Sequence, residues 1–425
     1  MKSYLFYIFF ILFTVGLNTI ALRLLKQRWN LWLGCGIPAL CMMLFMWKAS
    51  EPNPAFLDFT TAYYPASKLI IENPSELYNK LGADGFVNIP IIAFLFTPFS
   101  LFNEPTAQII MTVLGILALL ATYYSLVKLT NIHGWKKIAL FGVFVINGPL
   151  YYSLKEGNTT HFVLLLLLAA VFCLQGRQIW AGVFLAITAL IKLPLLIFGF
   201  YLAARMRWQA LLGFITTLVV IVGSSLLLFG VDLHLTWFYE CIQPYTSKPI
   251  SLYNVQSVDG FLIRLLTSPN LLNTMVPIEV DWSFKLMRYL LLALLIGGSI
   301  WICWRSKTPT TSEVQNLEFC IVLCLALITS PISWTHYYLL LLLPLSLYLC
   351  DRLAVPQDRS IVNLMVLATV LISLPVKRVD AVIVLRFFIS HYFFGGILLL
   401  GVLLAARWHT SRHPQLSQSS ISELV

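Results

Sequence analysis

Thirteen apolar residues, Phe162 to Leu174, run without a polar break, and Leu339 to Leu343 is unbroken leucine. Blocks of that kind can hide only inside a large core or in lipid. The rest of the chain decides between the two. Of its 425 residues, 59% are hydrophobic and 11% charged, less than half of the roughly 25% charge that clothes a soluble domain. A water-soluble enzyme, a disordered chain and a disulfide-stapled secreted domain are all excluded. The sequence reads as an all-α, polytopic integral membrane protein forming a single membrane domain.

A span needs about 20 apolar residues. Segments of that character fall at 4–22, 31–47, 105–127, 138–154, 161–175, 208–229, 284–304, 317–331, 336–350, 361–376 and 391–406. The stretch IWAGVFLAITALIKLPLLIFGFYLA (179–203) is interrupted at Lys192-Leu193-Pro194. Proline cannot continue the backbone ladder, so two shorter helices meeting near Lys192 are expected. The total comes to about thirteen membrane segments. Segments 86–102 and 377–390 fit either a span or an interfacial piece. The N-terminal MKSYLFYIFFILFTVGLNTIAL has a signal-peptide character but no small-x-small cleavage site before Arg23, and reads as a retained span.

Charge sets the orientation. The net charge of +10 would suggest nucleic acid in a soluble protein, but membrane proteins concentrate Lys and Arg in cytoplasmic loops. The short segments 23–30, 128–137, 176–178, 205–207, 305–316, 351–360 and the tail 407–425 hold 15 of the 28 Lys and Arg. They are assigned inside, and nucleic acid is not expected as a partner. The eight cysteines lie mostly in apolar segments, which argues packing over disulfides or metal. No repeat, Walker glycine loop, HExxH, CxxC pair or G-x-S-x-G is present.

Two outside segments, 48–104 and 230–283, are long enough to hold chemistry. In the first, Phe59, Tyr63, Ala66 and Ile70 recur at helical spacing, the stripe of an amphipathic helix on a membrane surface. Asn73-Pro74 should end it. Asp58 stands just before it, among Phe56, Leu57 and Phe59. Two readings stay open for this acid. It can cap the helix, or it can serve as a general base whose pKa is tuned by apolar neighbours.

Other polar groups collect at span ends. The turn YYSLKEGNTTH (151–161) crowds Lys155, Glu156, Asn158, Thr159, Thr160 and His161 between two spans, as a phosphate contact or a solvated turn. Lys192 lies in the middle of an apolar stretch, where an ionisable group faces a cavity or partner, or snorkels to the headgroups. Arg264 follows the polar cluster Asn254, Gln256, Ser257 and Asp259 and can join an anion site or anchor the interface. Trp334 and His336, in SPISWTHYYLLLLLP, sit at a span end where aromatic belts occur.

Taken in order, these pieces resemble glycosyltransferase family 87, a family with the helical GT-C fold. The pieces are LDFTTAYYPASKLI with ELYN, IPIIAFLFTPFSLF, the polar GN at 157–158, AGVFLAITALIKLPLLIFGFYLAARMRWQALLG, NVQSVDGFLIRLL and SPISWTHYYLLLLLPL. They cover roughly residues 50–350. The resemblance implies an inverting transfer of a hexose, commonly mannose, from a polyprenyl-phosphate donor to a hydroxyl of a glycan or glycolipid acceptor, with no metal or cofactor. Asp58 matches the family's first-loop acid and would be the base. His336 matches its WxH element. Lys192, His336, Arg264, Lys155 and His161 become candidates for the donor phosphate, and Asn158, Tyr63, Trp334 and Asn254 for the sugars. The chain reads NIPIIAF where the family commonly has more proline. The expected location is a bacterial inner membrane, with the active site extracytoplasmic. A transporter or flippase of a lipid-linked saccharide is the competing reading, since it shares the spans and the cationic cavity but needs no base.

Overall fold

The computed structural model describes residues 8–9, 12–13, 16, 55–82, 85–305, 311–376 and 383–412. The expected spans 4–22 (five positions apart) and 31–47, the residues 377–382 and the end of the tail lie outside them. Among the described residues the protein is helical, with a single isolated β-bridge between Val255 and Trp334.

In chain order, helix α1 (Tyr64–Glu72) follows a wide turn at Phe59–Tyr63 and stops at Asn73, before Pro74, as expected. The stripe Phe59, Tyr63, Ala66, Ile70 is present but faces protein, not lipid: all four are buried in a small core completed by Phe86, Met111, Leu190 and Leu233. Residues 86–102 contain only the short helices Pro90–Leu95 and Thr97–Ser100, neither long enough to cross a bilayer.

Helix α2 (Glu104–Thr130) is capped by Asn103, whose Oδ1 accepts from the Thr106 N–H at 3.0 Å. The apolar segment 138–154 is not one straight span. It forms α3 (Trp135–Val145) and α4 (Gly148–Glu156), bent by 51°. Gly148-Pro149 removes a backbone donor there, and Asn147 caps the new helix through Leu150 N–H at 2.9 Å.

Helices α5 (Thr160–Cys173) and α6 (Gln178–Ile191) follow. The expected break occurs at Lys192, whose backbone is extended (φ −133°, ψ 91°) before a 3-10 turn at Leu193–Leu196 and helix α7 (Ile197–Ala204). Helix α8 (Trp208–Trp237) packs closely on α6. A Cβ on Gly182 would meet the Ala210 carbonyl oxygen at 1.9 Å, and one on Gly213 the Ile179 oxygen at 2.2 Å. Small residues thus let the backbones touch, the usual device for joining helices in lipid, and they fix the helix that ends at Lys192.

The remaining helices are α9 (Val258–Leu266), α10 (Trp282–Arg305), α11 (Ser312–Ile328), α12 (Leu342–Leu349), α13 (Arg359–Ser373) and α14 (His391–Arg412). Four helical runs among the described residues are long and apolar enough to cross a bilayer: Glu104–Thr130, Trp208–Ser247, Trp282–Arg305 and His391–Ser411. The bent α3–α4 pair makes a fifth if counted as one span. Large apolar side chains remain exposed along α2 (Ile109, Leu117, Leu120), α8 (Leu212, Val219, Leu227) and α10 (Leu290, Leu294), the surface that lipid rather than water would solvate. The protein is therefore an integral membrane protein.

The leucine run does not face lipid. Leu339 to Leu343 are each at most 1% exposed and lie, with α11, in the main core. One charged cluster ties the bundle together at the start of α8, α11 and the end of α14. The Glu318 carboxylate, 1% exposed, pairs with the Arg205 guanidinium and with Arg407 Nε at 2.8 Å.

Candidate active site

The segment carrying Asp58 is held against the end of α4 from two sides. Phe56 has φ of 65°, and its N–H donates to the Lys155 carbonyl at 2.6 Å. Beyond Glu156, Gly157 ends α4 with φ of 66°, and a Cβ on it would stand 2.8 Å from the Phe59 Cβ and 3.1 Å from Phe56 Cδ1. Glycine alone suits both that backbone and that contact. Leu57 and Asp58 are thereby clamped beside the 155–158 turn.

Asp58 is not a helix cap. Its backbone is already α-helical (φ −62°, ψ −37°), and its side chain accepts no capping bond, whereas a cap residue is extended. The carboxylate is instead half-buried at the turn. Burial pushes its pKa up to about 6, opposed by the Lys192 ammonium and by the Asn158 amide beside it.

Asn158 is wholly buried. Its Oδ1 accepts from Ser153 Oγ at 3.0 Å and from the Thr160 N–H at 2.9 Å, while its Nδ2 completes no hydrogen bond within the protein. Tyr63 reaches the same turn, its hydroxyl 3.3 Å from Thr159 Oγ1, and stacks on Phe96 with ring centres 4.6 Å apart.

Lys192 is buried at the helix break, its ammonium 4.1 Å from the centre of the Tyr337 ring. A cation over an aromatic face is attracted by the ring's negative π surface. The charge of Lys192 acts on Asp58, His161 and His336, so the structure gathers these four from four separate parts of the sequence. His161 is pinned there: its Nδ1 lies 2.9 Å from Ser153 Oγ, its ring packs on Gly115, and its Nε2 has no partner. His336 is buried next to Tyr337.

The other expected residues are placed differently. Lys155 is half-buried and contributes its carbonyl to Phe56. Asn254 and Trp334 lie where residues 254–256 zip against 333–335, through Thr335 N–H to Asn254 O at 2.8 Å and Gln256 N–H to Ser333 O at 2.6 Å. Arg264 is not brought to the cluster. Fully buried, it donates to the carbonyls of Leu252 and Val255 and to Ser390 Oγ at 2.8 Å. Those bonds make it a staple of the 252–256 loop.

A cavity of about 340 Å³ opens beside Lys192. It is lined by Ile191 and Leu193 on either side of the lysine and by Pro194, Asn88, Trp334 and Tyr337, among others. Its wall is mainly apolar, which suits a hydrocarbon chain; Lys192 itself is not among the lining residues, though its two chain neighbours and Tyr337, the ring under its ammonium, are. Tyr337 and Asn88 were not anticipated as site residues. The aromatic directly after His336 in WTHYY was the available signal for Tyr337. Among the described residues no group of three His, Cys, Asp or Glu side chains is arranged to hold a metal ion.

The chain matches glycosyltransferase family 87 over residues 86–331. That stretch includes Lys192 and the 155–161 turn, while Asp58 precedes it by 28 residues and His336 follows it by five. A relative from Mycobacterium tuberculosis (strain ATCC 25618 / H37Rv), a polyprenol-phosphate-mannose-dependent alpha-(1-2)-phosphatidylinositol mannoside mannosyltransferase, is 24% identical over 280 residues. The match spans 60% of this chain and 60% of that relative. No solved structure matches.

Proposed function

The chain belongs to glycosyltransferase family 87, and on that premise we propose that it transfers a hexose, mannose first among them, from a polyprenyl-phosphate donor to a hydroxyl of a glycolipid or glycan. The observation that carries the reading is the non-capping carboxylate of Asp58 within electrostatic reach of the buried ammonium of Lys192, whose chain neighbours Ile191 and Leu193 line an apolar cavity. The relative's name supports the donor class and the lipid acceptor.

The chemistry follows from those charges. Asp58 takes the proton of the acceptor hydroxyl as that oxygen attacks the anomeric carbon from the face opposite the phosphate, inverting it. The anomeric carbon–oxygen bond breaks and the polyprenyl phosphate leaves with both electrons of that bond. Lys192, with His336 beside it and His161 further back, stabilises the charge growing on the leaving phosphate. The cavity takes the first part of the prenyl chain, and Trp334 and Tyr337 line its entrance. Asn158 and Tyr63 hold the sugars near Asp58. Arg264 and Lys155 support the site through the loop and through the backbone rather than touching phosphate.

In this reading the bundle has the GT-C arrangement, with about thirteen membrane segments. The two long loops, 48–104 and 230–283, and the site lie on the extracytoplasmic face of a bacterial inner membrane, and the tail 407–425 is cytoplasmic. Incubating membranes that contain the protein with radiolabelled polyprenyl-phosphate mannose tests the activity. Label should appear in a glycosidic product. Label carried across the bilayer with the donor intact would instead identify a transporter or flippase.

A further inference from the structure

Two carboxylates, not one, meet at the clamped turn. Residue 155 bonds to Phe56 and residue 157 packs on Phe59, so the intervening Glu156 is set beside Asp58, and the two charges act on one another. Glu156 Oε2 is buried and has no hydrogen-bond partner in the protein. Next to it the wholly buried Asn158 amide turns its Nδ2 toward the Asp58 carboxylate and completes no other hydrogen bond in the protein. A buried polar atom without a partner costs about 1–3 kcal/mol, so the unpaired Glu156 acceptor beside the Asp58 carboxylate marks a place for a ligand with hydroxyls.

The charge distribution decides which substrate that is. A phosphate is repelled by two carboxylates and drawn to Lys192 at the cavity. The acidic side of the site is left for a neutral polyhydroxylated partner. Carboxylate oxygens are pure acceptors when ionised, and sugar hydroxyls supply the donors.

Resting on the transferase reading above, we propose that Glu156 binds the acceptor sugar, its Oε2 accepting a hydrogen bond from a hydroxyl next to the one that Asp58 deprotonates. Glu156 then selects acceptors that carry a second hydroxyl at that position, and it contributes nothing to donor binding.

The test uses the purified full chain in nanodiscs, with labelled polyprenyl-phosphate mannose as donor and a host-membrane lipid extract as acceptor. Glu156→Ala should raise the apparent acceptor KM at least tenfold while the donor KM stays within twofold. Glu156→Gln keeps the shape and an acceptor oxygen and should recover most of the loss, while Glu156→Met, of similar size but without the oxygen, should not; recovery by Glu156→Met would mark a packing defect and overturn the assignment. An unchanged acceptor KM in Glu156→Ala, or a donor KM rising equally, overturns the assignment to the acceptor. If the wild-type chain forms no labelled glycoside at all, the underlying transferase reading fails, and that result is distinct from product forming without any response to Glu156.

Discussion

The ammonium of Lys192 lies 4.1 Å from the centre of the Tyr337 ring, joining the break between α6 and α7 to the turn that precedes the buried leucine run. The ring fixes where the cation points, and Tyr337 also lines the cavity, together with Ile191 and Leu193 on either side of the lysine. Tyr337→Phe keeps the π face and should leave the donor KM nearly unchanged. Tyr337→Leu removes it and should raise the donor KM several-fold, since such a contact contributes about 0.5–2 kcal/mol. Lys192→Ala should have a larger effect, and an unchanged donor KM in that variant would remove Lys192 from the phosphate site.

The pH dependence follows from Asp58. Its carboxyl, ordinarily near 3.8, titrates at about 6 in the folded protein because burial disfavours the charge. Transfer should therefore fall about tenfold per pH unit below about 6, as the base becomes protonated. Stability runs the other way. Between about 4 and 6 the native state holds this proton and the unfolded chain does not, so this group's contribution falls as pH rises through that window and is flat above it. Asp58→Asn should lose transfer and melt no lower than wild type at pH 7 in a thermal scan in detergent.

Gly157 should tolerate nothing larger. Its φ of 66° and the 2.8 Å approach to Phe59 mean that Gly157→Ala adds backbone strain of about 1–2 kcal/mol and pushes the Phe56–Phe59 segment away. The expected result is a protein that still inserts and folds but loses most of its transfer. Full activity in this variant would show that the clamp does not position Asp58.

Glu318 supports the bundle and should not affect the chemistry. Its carboxylate joins Arg205 and Arg407, and removing one member of a buried ion pair costs about 3–5 kcal/mol. Glu318→Gln should lower the melting temperature and the monodisperse yield, while the fraction that remains folded keeps the wild-type donor and acceptor KM.

Much of this was legible in the sequence where one residue forces the backbone. Pro194 announced the break at Lys192, and Asn73-Pro74 the end of α1. The stripe Phe59, Tyr63, Ala66, Ile70 was legible as a helix face, but its partner was not, because apolar side chains read alike whether they meet lipid or protein. The same ambiguity left the leucine run Leu339–Leu343 readable as core or as lipid-facing, and the structure places it in the core. Asp58 looked equally like a cap, and only its helical backbone removes that option. Arg264 reads as a free cation until the carbonyls of Leu252 and Val255 are seen to bind it. The meeting of Asp58, His161, Lys192 and His336 depends on contacts between distant segments, which no local pattern encodes.

The whole mechanism turns on Asp58 as the base of a glycosyl transfer. The most direct measurement is single-turnover transfer of label from polyprenyl-phosphate mannose to glycolipid by wild type and Asp58→Asn, in parallel with labelled-donor binding to each. Asp58→Asn should bind donor with wild-type affinity and form product at least a thousandfold more slowly, a loss of the size removal of a positioned base produces. Product formed at the wild-type rate by a well-folded Asp58→Asn protein would contradict that role.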